Sequence, residues 1–405
     1  MTSTDDIVLA APVRSPIGKF GGGLAGLTVA QLGAASASAA LSRSGIAGAD
    51  VCEVIFGCAR QAGAGPNVAR QIAHRAGVPH EVPAFTVNKA CGSGLKAIVL
   101  AAQAVRLGDA RIVLAGGAES MSRVPYYVEG ARWGMKLGDA PLVDGMYRDG
   151  FLCPLCGQVM GETAENLVDR YHITRADQDG YAATSQNRAE AARREGRFQA
   201  EIEPIDVPGR GGKVTRMDRD EHPRDGVTPE SLAALPPVFR QGGTVHAGNS
   251  SGITDGSAAA LVLSLEEAHR RGIAPLFRLK GYATAGVPPE IMGIGPVPAI
   301  RALLERQGLT LADIDLIEIN EAFAAQVLAC VKELGIDRER LNVNGGSIAL
   351  GHPIGASGAR VVVTLLHEMQ RRGARYGIAS LCISGGMGIA ALFESVPGDG
   401  GMERT

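Results

Sequence analysis

The chain has 405 residues, which sets two or three domains as the starting expectation. Apolar residues make up 45% and charged ones 20%, which excludes wholesale disorder, and a formal charge of −2 leaves no electrostatic footprint for nucleic acid or a membrane surface. The 55 glycines are scattered in pairs and triplets between apolar runs, which excludes collagen and points to many tight turns and close backbone approaches.

The start is acidic at Asp5 and Asp6 and runs directly into the strand-like Ile7-Val8-Leu9-Ala10, unlike a basic, apolar leader or an Arg-rich transit peptide. No apolar run approaches the ~18 residues expected of a membrane span, so the expected location is cytoplasmic. Seven cysteines, an odd number, argue against a disulfide framework in such a chain. Gly21 to Gly26 satisfies G-x-G-x-x-G, but Pro12 and Pro16 separate it from the preceding strand, so it reads as a loop rather than a dinucleotide fingerprint.

Further along, a helical stretch from Val29 to Ser42 precedes the strand Val54-Ile55-Phe56. The strand Phe85 to Asn88 turns through Lys89-Ala90-Cys91-Gly92-Ser93-Gly94 into a helix, and Lys96 to Arg106 precedes the strand Ile112 to Ala115. Strands alternating with helices of this length imply βαβ units around a parallel sheet. Residues 123–250 have another texture, with Tyr126, Tyr127 and Trp133, helical runs over Thr163–Arg170 and Arg175–Arg194, and a polar tract from Pro208 to Lys213. This region reads as an insertion in a first α/β half, and the strand Ala258 to Leu263 then resumes the sheet.

Two motifs inside the insertion are read as incidental. Cys153-Pro154-Leu155-Cys156 lacks the second ligand pair a zinc site needs, so it is taken as two unrelated cysteines in a loop, and no metal is expected. Gly248-Asn249-Ser250-Ser251-Gly252 fits G-x-S-x-G, but a turn follows it where a nucleophile elbow needs a helix.

The remainder of the chain repeats the beginning. Gly45, before the strand Glu53 to Gly57, matches Gly308, before Leu316 to Asn320, at an offset of 263 residues. Gly108, before Ile112 to Gly117, matches Gly373, before Ile378 to Cys382, at an offset of 265. Two matches in the same order at nearly one spacing imply a duplication, with equivalent sheet ends converging between the halves, where open α/β sheets place ligands.

Cys91 then sits at a helix N-terminus among small residues. Free amides and the helix dipole there favour a thiolate and can hold an oxyanion, against the commoner fate of a lone cysteine as core filler. His352, between Gly351 and Pro353, falls near the duplicated position of Cys91 and suits a general base, or else a turn histidine. Cys382 is read as ending the last strand, and Asn320 ends the strand before it.

These stretches, Asn88 to Leu95, Asn320 to Ala324, Gly351 to Gly358 and Cys382 to Gly388, resemble the signature blocks of the thiolases (acetyl-CoA C-acyltransferases) in their order and spacing. So do Pro12 to Gly18, Gly116 to Ser122 and Gly161 to Asn166, and the likeness covers essentially the whole chain. It implies an α/β fold of duplicated thiolase-like halves in a layered αβαβα arrangement with an inserted loop domain. The expected boundaries are 1–122 plus 252–274, 123–251, 275–397 and a tail at 398–405.

By the same resemblance Cys91 takes an acyl group from acyl-CoA, His352 accepts its proton, and Cys382 is the acid/base at the substrate α-carbon. Asn320, through a water, and His352 form one oxyanion hole, and the amides of Cys91 and Ser384 form the other. Arg224, Ser251, Ala247 and Ala322 contact CoA, while Met292 and Phe323 line the pantetheine or acyl channel. Coenzyme A is substrate and product, no cofactor is bound permanently, and a homodimer or homotetramer is expected.

Two positions depart from the family pattern. Ser384 stands where many relatives have glycine, and it still offers a backbone N–H. Val159-Met160-Gly161 stands where relatives specialised for acetoacetyl-CoA carry His-Met-Gly. The expectation is therefore an acetyl-CoA C-acetyltransferase, with a broader 3-ketoacyl-CoA thiolase of fatty-acid degradation as the alternative. A decarboxylating synthase of the same superfamily lacks a second catalytic cysteine, and a silent acyl-CoA-binding module has no need of all four site residues.

Overall fold

The computed structural model describes residues 6–273 and 277–396. The expected tail at 398–405 and the expected boundary at 274–275 lie outside those residues.

Nine strands carry the main sheet: β1 (Ile7–Arg14), β2 (Glu53–Gly57), β3 (Ala84–Val87), β4 (Ile112–Ser120), β5 (Thr254–Ser264), β6 (Phe277–Gly286), β7 (Leu316–Ile319), β8 (Tyr376–Ile383) and β9 (Met387–Ser395). Their order is β7-β8-β9-β6-β1-β5-β4-β2-β3, with a two-residue strand, Gly18–Lys19, added on β5. The duplication is visible in this order. Strands β2, β4, β5 and β1 of the first half recur as β7, β8, β9 and β6 of the second. The place of β3 is taken by the chain at Leu341, which bridges Ile317. The halves join where β1 and β6 run antiparallel, Val8 beside Arg278 and Leu9 beside Phe277.

The sheet is mixed, not parallel. Strand β2 runs parallel to β3 and β4, and β7 to β8, while every other pairing along the sheet is antiparallel. Nor is β8 the last strand. The chain folds back at Ser384–Gly386 and β9 returns beside β8, with Cys382 opposite Gly388. Short apolar runs show where strands lie but carry no sign of direction, and this return falls in a stretch whose glycines read only as a loop.

Helices fill three layers around the two half-sheets. Outside the first lie α1 (Val29–Ser44) and α2 (Val68–Arg75), and Leu41 and Ile72 pack on Val54, Phe56 and Leu114. Between the halves lie α3 (Ser93–Leu107) and α8 (Ile354–Arg372), where Leu95, Ile98, Val362 and Leu366 share one core with Ile55, Val113, Ala379 and Leu381. Outside the second half lie α6 (Pro296–Gln307) and α7 (Ala324–Leu334), with Ile300, Leu303 and Val327 on Ile317 and Ile378. The insertion contributes α4 (Met160–Tyr171), α5 (Arg175–Arg194) and a small hairpin.

One apolar stretch was underestimated. Ala90–Leu107 reaches the length and, at 1.2, the mean hydropathy of a membrane span. Here that composition serves the middle layer, because α3 is enclosed by both half-sheets and α8.

Close packing of α3 and α8 sets the site. A Cβ on Gly94 would lie 2.6 Å from the Ala359 nitrogen, and one on Gly358 would lie 2.3 Å from the Leu95 nitrogen. Only glycine lets these backbones touch at their N-termini. Cys91 lies two residues before α3 and His352 two residues before α8, so the duplication delivers both to the same crossing.

Candidate active site

The turn carrying Cys91 is built by its neighbours. Asn88 Oδ1 accepts the Ala90 N–H at 3.0 Å, while Ser93 Oγ accepts the Lys89 N–H at 2.8 Å and donates to the Ala90 carbonyl at 2.7 Å. Between these clamps Ala90 is held at φ +44°, a left-handed conformation that costs a non-glycine residue free energy. The result is a sharp corner with Cys91 at its tip, half-buried, before a helix whose N-terminus has no side-chain cap.

The hairpin between β8 and β9 meets that corner. Gly385 and Gly386 adopt φ +83° and +82°, and Val287 N–H donates to the Gly386 carbonyl at 2.7 Å. A Cβ on Gly92 would lie 2.6 Å from Ile383 Cδ1, so the two turns are in contact. The backbone N–H groups of Ser384 and of Cys91 itself both point at the Cys91 sulfur. Cys382 is fully buried close by, and the proximity of Cys91 adds to the burial that pushes its thiol well above the usual range.

His352 reaches the same place from the other half. Its N–H donates to the Gly252 carbonyl at 2.9 Å, and Ile354, two residues on, packs in one cluster with Cys91, Ala59, Met121 and Met146. The proton positions follow from the partners. Ser357 Oγ donates to the Pro353 carbonyl at 3.0 Å, so it accepts from His352 Nδ1 at 2.5 Å. That leaves Nε2 unprotonated, its lone pair accepting a long hydrogen bond from Asn320 Nδ2 at 3.5 Å.

Asn320 is oriented by a one-way chain. Arg360 can only donate, and its Nη2 lies 3.1 Å from Ser347 Oγ. The Ser347 hydroxyl must therefore direct its own proton to Asn320 Oδ1, at 2.7 Å, turning the amide NH2 toward His352 and the site. Glu119 holds the other flank: its carboxylate accepts from the amides of Ala59, Arg60 and Gly355 at 3.0, 3.1 and 2.8 Å, capping α8.

The charge state overturns one expectation. Burial lifts the Cys91 thiol above its ordinary range, Glu119 reinforcing it, and Arg60 and the two amides only oppose it. Burial, with Arg360 and Arg60, pushes His352 down to about 3. The resting pair is a neutral thiol and a neutral imidazole, because removing the site from water outweighs the helix terminus. An ion pair would give an alkylation plateau below neutrality. Instead, the rate of iodoacetamide reaction at Cys91 should climb with pH through 9 without levelling, measured by adduct mass. A plateau below pH 8 would contradict this electrostatic picture.

The expected CoA contacts fall in two groups. Arg224 and Ala247 are exposed and line one cleft of about 350 Å³ with His222, Gly248, Leu232 and Leu235. A Cβ on Gly252 would lie 1.9 Å from His222 Nε2, and the Gly252 carbonyl holds His352, so this cleft borders the histidine loop. Met292, Ala322 and Phe323 are not in its lining; they pack around Cys382 with Met160 and Val245. Ser251 ties the groups together, its N–H donating to the Ala322 carbonyl at 3.0 Å.

Cys153 and Cys156, read as unrelated, meet the same core: Cys153 is buried in the cluster around Cys382 and Cys156 packs against it. Sequence reasoning also missed the supporting roles of Ser347, Ser357, Arg360, Glu119 and Arg60. Only Ser357, five residues beyond His352 on a helical stretch, carried a local signal.

Comparison with known families decides what this arrangement is. Residues 7–266 match the family model "Thiolase, N-terminal domain", and 273–395 match "Thiolase, C-terminal domain". The chain belongs to the thiolase family. This thiolase is 54% identical over 385 residues to the acetyl-CoA acetyltransferase of Pseudomonas aeruginosa, covering 95% of this chain and 98% of that protein. It is 51% identical to the acetyl-CoA acetyltransferase of Syntrophomonas wolfei, covering 97% and 100%. Among solved structures it resembles the Bacillus anthracis acetyl-CoA acetyltransferase at a TM-score of 0.95, with 46% identity over 98% of this chain and all of that one. It also resembles human mitochondrial 3-ketoacyl-CoA thiolase in complex with CoA, at 0.94 and 43% identity over 97% and 98%. This thiolase is therefore an acyltransferase with the layered, duplicated fold expected of its sequence blocks.

Proposed function

We propose that this thiolase moves an acetyl group reversibly between CoA thioesters through an acyl-Cys91 intermediate, as an acetyl-CoA C-acetyltransferase. The observation that carries the reading is the convergence of two backbone amides on the Cys91 sulfur, at the same crossing of α3 and α8 that holds His352 with its unprotonated Nε2 turned to Asn320.

In the cleavage direction, CoA thioester lies in the Arg224 and Ala247 cleft and His352 Nε2 takes the Cys91 proton as the sulfur attacks the 3-keto carbon. The oxyanion is held by the amides of Cys91 and Ser384. Collapse breaks the bond between C2 and C3 and leaves the enolate of acetyl-CoA, its oxygen facing Asn320 Nδ2 and the imidazolium of His352. The Cys382 thiol then protonates C2, and burial keeps it in the protonated form this step needs. Incoming CoA gives its proton to the Cys382 thiolate, attacks acyl-Cys91, and releases the Cys91 sulfur to recover its proton from His352.

A broader chain-length preference has its own support, because apolar Val159 caps α4 next to Met160, which packs on the Cys382 cluster. The edge strand β3, with Phe85 exposed, and the exposed Trp133, Met135 and Leu137 support assembly as a dimer or a dimer of dimers. Thiolysis rates across 3-ketoacyl-CoA chain lengths test the reading: a maximum at acetoacetyl-CoA is expected. A maximum at longer chains replaces it by the broader thiolase, and no thiolysis at any length refutes both.

A further inference from the structure

A second cavity of about 350 Å³ opens beside the nucleophile and shares no lining residue with the Arg224 cleft. Ala90 and Ser384 are in its wall, so it adjoins both the turn that carries Cys91 and the turn that supplies the amide at its sulfur. An acyl group on Cys91 has its carbonyl fixed at those amides, and its tail needs the adjoining space. The rest of the wall is mixed: Ala59, Ala62 and Val124 are apolar, while Arg60, Gln61, Asn88, Tyr127 and Asp149 put polar groups within reach of a polar tail.

Arg60 gives that tail a charge. It is only 9% exposed, its Nε has no hydrogen-bond partner, and it forms no ion pair among the described residues. Nearby carboxylates are otherwise engaged. Glu119 is occupied by the amides of Ala59, Arg60 and Gly355, and exposed Asp149 accepts the Tyr127 hydroxyl at 2.6 Å. A Cβ on Gly150 would lie 2.6 Å from the Arg60 Nε, so the absence of a side chain there makes room for the guanidinium. The Glu119 carboxylate offsets the charge of Arg60 at a distance, but the buried Nε is left without a hydrogen bond, which an anion in the cavity would supply.

We propose that this cavity is an acyl subsite for short chains ending in a carboxylate, with Arg60 as the residue that recognises the carboxylate. The inference rests on acylation of Cys91. The step is a thioester exchange: the bond from the succinyl carbonyl to CoA sulfur breaks, the bond to the Cys91 sulfur forms, and the Cys91 proton passes through His352 to the departing CoA thiolate. No oxidant or further reactant enters.

Succinyl-CoA and butyryl-CoA carry acyl chains of equal length that end in a carboxylate and a methyl, and acetyl-CoA serves as the control. With the intact wild-type chain, the rate of the Cys91 mass shift should be at least tenfold faster from succinyl-CoA than from butyryl-CoA, the range of a charge-assisted hydrogen bond of about 1.5–3 kcal/mol. Arg60→Met should abolish that ratio, whatever it does to both rates together, and Arg60→Lys should keep part of it, lacking only the guanidinium fork. A wild-type ratio of one or below overturns the subsite. So does an Arg60→Met variant that slows both donors by the same factor, which would confine Arg60 to the field at the sulfur. If acetyl-CoA itself fails to acylate the wild type, the reading of Cys91 falls, and the subsite with it.

Discussion

Cys91→Ala should end acyl transfer, lowering turnover by about ten-thousand-fold or more, because a covalent route has no substitute once its nucleophile is gone. The variant should also show no acyl mass shift with acetyl-CoA, while still binding CoA in the cleft that Arg224 and Ala247 line. Folding should be nearly untouched. As a residue Cys91 is half-buried, and the turn around it is held by Asn88 and Ser93 rather than by the thiol. Cys91→Ser separates attack from positioning, since the hydroxyl keeps the place but ionises far less readily, so slow acylation at best is expected. Turnover of Cys91→Ala at the wild-type rate would remove the acyl-cysteine mechanism altogether.

The blocks around Cys91, Asn320, His352 and Cys382 were legible because each combines a reactive residue with the small residues that expose it. The pairing of Cys91 with His352 was legible from the repeat, whose two copies both place a helix start two residues downstream. What escaped was whatever depends on burial or on distant partners. A helix N-terminus implied a thiolate at position 91, but the desolvation that reverses this is a property of the packed halves. Ser347 and Arg360 look like turn and helix residues in the sequence, and their part in turning Asn320 exists only once α8 lies beside β7. Helix α8 itself begins at Ile354, and its small residues Gly355 to Gly358 are the contact with α3 that no local apolar pattern shows.

Cys382→Ala should dissociate the two half-reactions. Acylation of Cys91 uses His352 and the amide pair and should proceed at close to the wild-type rate. Protonation at C2 loses its donor, so thiolysis should fall by about 10²–10⁴-fold, the usual worth of a positioned acid or base. The direct readout is exchange of the acetyl-CoA methyl protons with deuterium from solvent, which should disappear in the variant while the acyl adduct still forms. A structural defect would not give this split. Cys382 is completely buried and packs with Met292 and Phe323, so truncation leaves a small void that lowers stability but makes no distinction between the steps. Cys382→Ser fills that void with a hydroxyl too weakly acidic to replace the thiol, and it should lose exchange as well. Rapid exchange in either variant would move the α-carbon chemistry to another group, His352 being the other base the mechanism uses.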